Sequence, residues 1–352
     1  MRARVFTSIR MLEAMFLIVA AIPVAGMAQM GAVDVSKTGT TAATFLEISV
    51  GAPAIGVGGA FVSLANDATA LYWNPAGIAT LPGTQAVLSH TDWIADTKFD
   101  FAGLAVPLES FGTLGFSLTS LTMGDMPVTT VEMPDGTGEY FSASDVAAGI
   151  SYARPLTDRF SIGFTAKFIQ ESIWHETADA FAVDAGTVFK TDLFGGMVIG
   201  ASLTNFGTPM TLTGSDTRQF LRIDATKQGS NDQIPADIEM NSWDLPLRFQ
   251  IGVSTNLLNS DMYRWTVAVD AIHPNDNYES MNVGSEFALR DFLFLRAGYQ
   301  SLFLSQSEGG LSLGVGVTSG ILANSSAVKF DYAYRDYGRL EGVHSFSLAV
   351  RF

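Results

Sequence analysis

Residues after position 83 repeatedly alternate between apolar side chains and small or polar ones. The segments LSLGVGVT at 311–318 and VKFDYAYR at 328–335 are two clear cases. A period of two places one set of side chains on each face of a β-strand, so the pattern predicts strands. A soluble β-sandwich shows the same alternation, and the period alone therefore leaves the type of β-fold open.

The number and length of these segments narrow the choice. We predict about 14 strands, an even number, each near the length that crosses a bilayer at a tilt. The predicted fold class is all-β, a transmembrane antiparallel β-barrel over residues 83–352. The strands are predicted at 84–94, 97–107, 112–123, 144–155, 159–171, 178–190, 194–206, 245–257, 262–273, 280–290, 292–301, 309–319, 326–336 and 342–352.

The connections between the predicted strands sort by length. The two longest, 124–143 and 207–244, follow odd-numbered strands, whereas short turns such as 155–158 and 191–192 follow even-numbered ones. Long extracellular loops and short periplasmic turns are typical of outer-membrane barrels. Because a sandwich has no reason to sort its loops in this way, the connections favour the barrel.

Composition agrees with a membrane barrel and excludes other classes. Charged residues make up 16% of the chain, against about 25% in a typical soluble protein. The absence of Cys excludes disulfides and thiolate metal sites. A formal net charge of −15 argues against nucleic-acid binding, which needs basic patches.

Some charged residues fall on the polar face of the predicted strands, which in lipid must be the lumen face. Two interpretations stay open for them: a hydrated network that fills the lumen and holds a plug, or a polar path for a solute. These lumen charges are Lys167, Asp270, Lys329, Asp331, Arg335 and Arg351.

The stretch at 49–82, SVGAPAIGVGGAFVSLANDATALYWNPAGIATLP, differs from all that follows it. Its glycines permit close backbone contacts, and Asn-Pro at 74–75 disfavours a continuing helix. We predict short helices and turns that pack as a plug in the lumen, with the aromatic pair at 72–73 anchoring it to the wall. A hatch that rearranges to admit an apolar molecule is the alternative. The candidate plug residues are Gly56, Gly58, Gly59, Ala60, Phe61, Asn66, Asp67, Tyr72, Trp73, Asn74, Pro75 and Gly77.

The same stretch resembles a known family. GVGGAFV at 56–62, followed by NDATALYWNPAG at 66–77, resembles the N-terminal signature of the PorV/PorQ family of outer-membrane proteins. DYAYRDYGRL at 331–340 resembles the closing hairpin of that family. The family is similar in fold to the FadL-type barrels that carry hydrophobic compounds. The terminal Phe352, which ends an alternating strand, resembles the signal that the barrel-insertion machinery recognises.

The N-terminal residues predict export. Residues 1–28 have a basic start, an apolar core and a small-x-small site at 26–28, which is the pattern of a cleaved signal peptide. Residues 29–48 are predicted to be a flexible lead to the plug. Export of a chain without Cys fits the cell outer membrane of a Gram-negative type envelope.

Catalytic motifs are nearly absent from the sequence. The four His residues lack paired metal spacing, and His175-Glu176 is predicted to be a solvated pair at an extracellular loop tip. The Ser residues lie in no nucleophile elbow. The plug glycines lack the spacing and preceding strand of a dinucleotide site. We predict a non-enzymatic protein with no cofactor and no metal.

The PorV/PorQ resemblance implies a role in type IX secretion. Proteins of that family bind the C-terminal domains of exported cargo and pass them from the translocon to the surface-attachment machinery. The implied partners are cargo and secretion-machinery proteins in a setting of outer-membrane lipid, contacted through the loops 124–143 and 207–244. The alternative is a FadL-like channel for hydrophobic small molecules, which predicts an apolar pocket beside the plug and a break in one strand. A structural barrel without transport is a third hypothesis.

Overall fold

The computed structural model describes residues 37–224, 226, 233–304, 307–322 and 326–352. The predicted signal peptide at 1–28 and most of the predicted lead therefore lie outside the described residues. Thr38–Phe352 form one compact unit, to which the following description applies.

A wall of fourteen long strands surrounds the lumen, which confirms the predicted strand number. Every strand pairs antiparallel with its neighbours along the chain, including β6 with β7. Pairing of the first strand, β1, with the last, β14, closes the barrel. The strands are β1 (Gln85–Asp92), β2 (Lys98–Pro107), β3 (Thr113–Thr122), β4 (Ala143–Pro155), β5 (Phe160–Ile173), β6 (Glu176–Lys190), β7 (Val198–Gly207), β8 (Arg248–Asn259), β9 (Tyr263–Pro274), β10 (Ser280–Leu289), β11 (Leu293–Leu302), β12 (Leu311–Leu322), β13 (Ser326–Asp336) and β14 (Gly342–Arg351).

The two faces of the strands differ as the period of two requires. In β6, Ala178, Ala180 and Ala182 are buried toward the lumen, whereas Phe181 and Val183 are exposed on the outside. Small residues inside and large apolar residues outside fit a narrow, filled lumen in a lipid-facing wall. Among the described residues, no helix is long and apolar enough to span a membrane.

The two ends of the barrel carry different connections. The long connections 123–142 and 208–247 lie at one end, which we call the loop end. The turns 156–159, 260–262 and 290–292 lie at the other, which we call the turn end. In outer-membrane barrels the end with long loops is extracellular and the end with short turns is periplasmic.

Both long connections contain short strand pairs. Residues in the first connection pair with each other, and residues in the second pair with each other or extend the sheet beside β6. These pairs are Met126–Pro127 with Tyr140–Phe141, Met210–Thr211 with Ser242–Trp243, Arg218–Leu221 with Ile234–Asp237, and Thr213–Gly214 with the start of β6.

The chain before β1 lies inside the barrel as short helices. These are a 3-10 helix at Thr44–Glu47, α1 (Ala52–Gly56), α2 (Ala70–Trp73) and a 3-10 helix at Pro75–Thr80. We call residues 43–82 the plug, because they pack against the inner face of the wall as one continuous core. Four further 3-10 helices lie in connections, at Ile94–Asp96, Glu109–Phe111, Leu193–Gly195 and Gly338–Leu340.

The plug begins earlier than the sequence predicts. A flexible lead is predicted as far as residue 48, whereas Phe45, Leu46 and Ile48 are buried in the core. The apolar run that starts at Thr44 explains this difference, because the barrel wall provides a surface on which these side chains can be buried.

Candidate functional site

Wall glycines bring the strands into direct contact with the plug. A Cβ atom on Gly298 would overlap the carbonyl carbon of Val57, and one on Gly200 would overlap the carbonyl oxygen of Val62. Because the obstructing atoms are backbone, the neighbouring chain cannot move aside as a side chain would. The wall glycines that face plug backbone atoms in this way are Gly163, Gly200, Gly284, Gly298 and Gly314, while Gly115, Gly186 and Gly252 face plug side chains.

The predicted glycine motif forms the other half of this contact. Gly58 and Gly59 have positive φ angles of 67° and 75°, a conformation that glycine adopts at little cost. A Cβ on Gly58 would overlap the backbone of β11, and one on Gly56 would lie 3.1 Å from the Cα of Gly314. Ala60, which follows, is fully buried. The motif is thus the place where plug and wall backbones meet.

Asp270 binds the plug through its backbone. One carboxylate oxygen accepts hydrogen bonds from the amide nitrogens of Phe61 (2.8 Å) and Val62 (3.0 Å) and from the side-chain amide of Gln250 (2.6 Å). Asp270 lies on β9 and is completely buried. A buried carboxylate with several donors holds these donors in place, so Asp270 fixes the segment that follows the glycines.

Arg335 on β13 holds α1. Its guanidinium donates to the hydroxyl of Ser49 (2.9 Å) and to that of Ser312 on the wall (3.1 Å), and it reaches the carbonyl oxygen of Ile55 (3.5 Å). Ser347 on β14 accepts a hydrogen bond from the amide of Ala52 at 2.8 Å. Polar side chains of the last strands therefore cap the beginning of the plug.

A second buried cluster lies beside Arg335. Arg296 on β11 donates to Asp331 (2.7 Å) and to Glu286 (2.8 Å), and its side chain is 1% exposed. Lys329 lies 3.7 Å from Asp331, with its ammonium 4.6 Å from the ring centre of Phe294. These side chains cross-link three wall strands below α1, which is consistent with the interpretation of the lumen charges as a packed network.

The WNP residues connect plug segments to one another. The Trp73 indole donates to the carbonyl of Val50 at 2.8 Å, and the Tyr72 hydroxyl lies 2.7 Å from the carbonyl oxygen of Leu46 and 2.8 Å from that of Ile48. Their contacts with the wall are ring contacts, such as Tyr72 with Phe101 on β2. The aromatic pair therefore contacts the wall through its rings, and its hydrogen bonds hold segments of the plug together.

Asn74 joins the plug to β6. Its side-chain amide donates to the carbonyl oxygens of Val62 and Thr187, both at 3.0 Å, and its oxygen accepts from the amide of Ala76 and so caps the 3-10 helix. Pro75 follows as the first residue of this helix, a position that suits proline.

Other predicted residues lie at the edges of the plug. Gly77 packs against the carbonyl oxygen of Ala65, while Asp67 accepts from the amide of Thr69 at 2.9 Å. Asn66 is exposed and faces the turn end. These residues form the surface of the plug that faces the turn end, and they make fewer contacts with the wall than the glycine motif does.

The remaining predicted residues lie in the middle of β5 and at the end of β14. Lys167, in the middle of β5, pairs with Asp184 at 2.9 Å in the lumen. Arg351 is exposed at the turn end, outside the buried charge network. Phe352 is also exposed, and its amide donates to the carbonyl of Thr84 at 2.9 Å.

The interpretation of His175-Glu176 as a solvated pair is wrong for Glu176. Its side chain is buried, and one carboxylate oxygen accepts a hydrogen bond from the amide of Asp216 at 2.6 Å. His175 lies 3.1 Å from the Asp216 carboxylate. The connection 208–247 folds back over this tip, which removes Glu176 from solvent.

Several residues of the plug interface were not predicted from the sequence. Arg296, Glu286 and Asn282 all have inward-facing positions on their strands. The signal for Arg296 is present, since it alternates with outward Leu295 and Ala297 in LFLRAGY. Treating every charged inward position as a candidate would have found it.

Two plug side chains have shifted pKa values. Burial and, to a smaller extent, the nearby Asp276 carboxylate together raise the pKa of Glu47 to about 7, although Arg248 acts in the opposite direction. Burial also raises the pKa of Tyr72, so its hydroxyl remains a donor to the carbonyls of the chain before α1.

Two cavities flank the plug. One, which we call the upper cavity, lies on the loop-end side of the plug beside Tyr72, Trp73 and Lys167. Its volume of about 30 Å³ holds about two water molecules. The other, of about 380 Å³, lies on the turn-end side between the plug and Arg264 and Lys329. Among the described residues the two cavities share no lining residue, and the plug separates them.

The wall is irregular beside the upper cavity. The register of β6 and β7 shifts between Val183 and Ala185, so that Asp184 lies opposite two residues of β7. Asn205 has a positive φ of 63° there, and its amide donates to Asp184 at 2.8 Å. This β-bulge is a local break in strand pairing close to the loop end.

The long connections at the loop end expose apolar side chains. Val131, Met133 and Tyr140 are exposed in the first long connection, and Phe220 and Leu221 in the second. A soluble surface exposes such residues singly, whereas a cluster of them indicates a contact surface. We call the described parts of 123–142 and 208–247 the loop cap.

Removing the Asp270 carboxylate should loosen the plug. Asp270→Ala leaves the buried amides of Phe61 and Val62 without an acceptor, which we expect to cost about 3 kcal/mol. Asp270→Asn keeps one acceptor oxygen and should cost less. Heat-dependent gel mobility of the folded barrel would measure the stability, and planar-bilayer conductance would detect a loosened plug. Equal behaviour of the two variants would contradict this role of Asp270.

Comparison with known proteins identifies related folds. The PorV family, described as "Type IX secretion system protein PorV", matches residues 29–199. No curated protein sequence matches the chain. A Pseudomonas aeruginosa FadL homologue has 12% identity and a TM-score of 0.51, with 86% of this chain and 98% of that chain covered.

Two toluene transporters are similar to the same extent. Pseudomonas putida TodX has 12% identity and a TM-score of 0.50, covering 86% of this chain and 97% of its own. Ralstonia pickettii TbuX has 12% identity and a TM-score of 0.51, covering 86% and 98%. At this identity the likeness shows the fold alone. The chain is thus similar to the PorV family over residues 29–199, and its barrel has a FadL-like fold.

Proposed function

We propose that this barrel is a non-enzymatic component of type IX secretion that binds the C-terminal domains of secreted proteins through its loop cap. The observation that carries the proposal is the exposure of apolar side chains on both long extracellular connections, above a lumen that the plug fills. A filled lumen leaves the rim as the part of the molecule that offers contact area to a protein. The match to the PorV family supports the secretion role.

The lumen geometry fits a scaffold better than an open pore. Side chains from three wall strands, β9, β13 and β14, bind the plug. Its removal would expose buried polar groups and the wall glycines. We therefore propose that the plug stays in place while partners are bound and released at the rim, after export directed by the signal peptide at 1–28.

The hairpin at 218–237 gives a direct test of the loop cap. Its ends are adjacent, because the amide of Ile238 donates to the carbonyl of Thr217 at 2.9 Å. A short Gly-Ser turn can therefore replace 218–237 without moving Asp216 or Asp244. We expect this variant to capture at least about tenfold less secreted protein, because exposed anchors such as Phe220 are lost.

The measurement is affinity capture from the native envelope, with mass spectrometry of bound proteins and extracted lipids. Arg218→Ala is the matched control, since its exposed ion pair with Asp237 contributes little. Unchanged capture by the shortened variant would contradict the assignment of partner binding to this hairpin.

A channel for hydrophobic small molecules is the second candidate. The bulge at Asp184 and Asn205 favours it, as do the FadL-like structural relatives. The 30 Å³ upper cavity is too small for an aromatic ring, so this function requires the plug to rearrange. In the capture experiment, bound apolar compounds without a protein partner would support the channel and overturn the secretion proposal.

A further inference from the structure

The chain reaches the plug from the loop end of the barrel. Thr41 pairs with Asp244 in a parallel bridge, and the amide of Ala42 donates to the carbonyl of Asp244 at 2.9 Å. Asp244 lies near the end of the connection 208–247, just before β8 begins. Residues 41–42 therefore contact the second long connection, at the loop end.

Two further contacts lie at the same end. The Thr41 hydroxyl donates to Asp276 at 3.0 Å, in the connection between β9 and β10. The amide of Ala43 donates to Glu171 at 2.9 Å, two residues before β5 ends at the loop end. Three separate parts of the rim thus hold residues 41–43.

The chain leaves the lumen at the turn end, after the last residue of the plug. The carbonyl of Thr84 accepts from the amide of Phe352, and Gln85 pairs with Arg351 where β1 begins at the turn end. Between Thr41 and Thr84 the chain runs through the lumen from the loop end to the turn end.

We propose that residues 38–42, where the described chain enters the barrel, lie on the extracellular surface and form part of the loop cap. This inference rests on the proposed outer-membrane orientation. Residues 38–40 are exposed, and they continue directly from the bridge to Asp244. A partner that binds the connection 208–247 would therefore also contact this segment.

The absence of Cys allows a clean test, because one introduced thiol is the only one in the protein. Thr38→Cys reports on the N-terminal segment. Asp135→Cys, exposed in the first long connection, is the extracellular control, and Asp158→Cys, exposed in a short turn, is the periplasmic control. Intact cells are treated with a polymer-linked maleimide that cannot cross the outer membrane, before and after permeabilisation.

We expect Thr38→Cys and Asp135→Cys to react on intact cells, and Asp158→Cys to react only after permeabilisation. Protection of Thr38→Cys alone would overturn the proposal and leave the orientation intact. Protection of both Thr38→Cys and Asp135→Cys would overturn the orientation and the proposal together. Heat-dependent gel mobility of each variant verifies that the labelled protein is the folded barrel.

Discussion

Replacing Arg296 with Met is expected to destabilise the barrel by about 3–5 kcal/mol, because it removes the closest partner of a buried carboxylate. Arg296 pairs with Asp331 at 2.7 Å, and both side chains are almost completely buried. Asp331 would keep only the longer ion pair with Lys329, at 3.7 Å. Urea unfolding of the detergent-solubilised protein, followed by tryptophan fluorescence, would measure the change.

Two further variants make this test specific. Arg264→Met is the matched control, since Arg264 pairs with Glu286 and Asp291 but is about one-third exposed, and we expect about 1 kcal/mol or less. Adding Asp331→Asn to Arg296→Met should recover part of the lost stability, because it removes the buried charge that has lost its closest partner. Equal losses of stability for Arg296→Met and Arg264→Met would show that the buried ion pair contributes no more to the free energy of unfolding than the partly exposed one.

Replacing Gly298 with Ala should prevent the plug from seating. The added Cβ would overlap the backbone of Val57 and Gly58, and neither chain can yield by rotating a side chain. We expect a loss larger than the roughly 1–3 kcal/mol of an ordinary overpacked core position. The folded, heat-modifiable form should become scarce, and the protein that does fold should conduct ions in a planar bilayer.

The next residue along the strand supplies the control for this variant. Ala297→Val adds more volume than Gly298→Ala, but it lies on the exposed outer face of β11. It should fold and remain closed like the unmodified protein. If the two variants fold and conduct alike, contact between the wall glycines and the plug does not determine the seating of the plug.

The wall was predictable because lipid imposes a simple rule on every strand. An outward position must be apolar and an inward one small or polar, so a segment such as LSLGVGVT reveals both its strand and its faces. The predicted strand at 309–319 and the observed Leu311–Leu322 differ only at their ends. Loop lengths then distinguish the two ends of the barrel.

The interior was harder to predict, because its contacts join residues far apart in the chain. Nothing in the local sequence of Phe61 and Val62 indicates that Asp270 binds their amides. Burial of Ile48 depends on a wall that is formed later in the chain. The glycine motif marks a close approach, but it does not state which strands approach.

The way in which the plug is enclosed has a consequence for the order of folding. Ala52 binds Ser347 and Ser49 binds Arg335, contacts that span 295 and 286 positions of the chain. Contacts of such high sequence separation form late and slow folding, because the entropy of closing the intervening chain is lost first. The beginning of the plug is synthesised before the wall, but its polar groups can form their hydrogen bonds only after β13 and β14 are in place. Pairing of β1 with β14 then closes the cylinder around a segment that already lies within it.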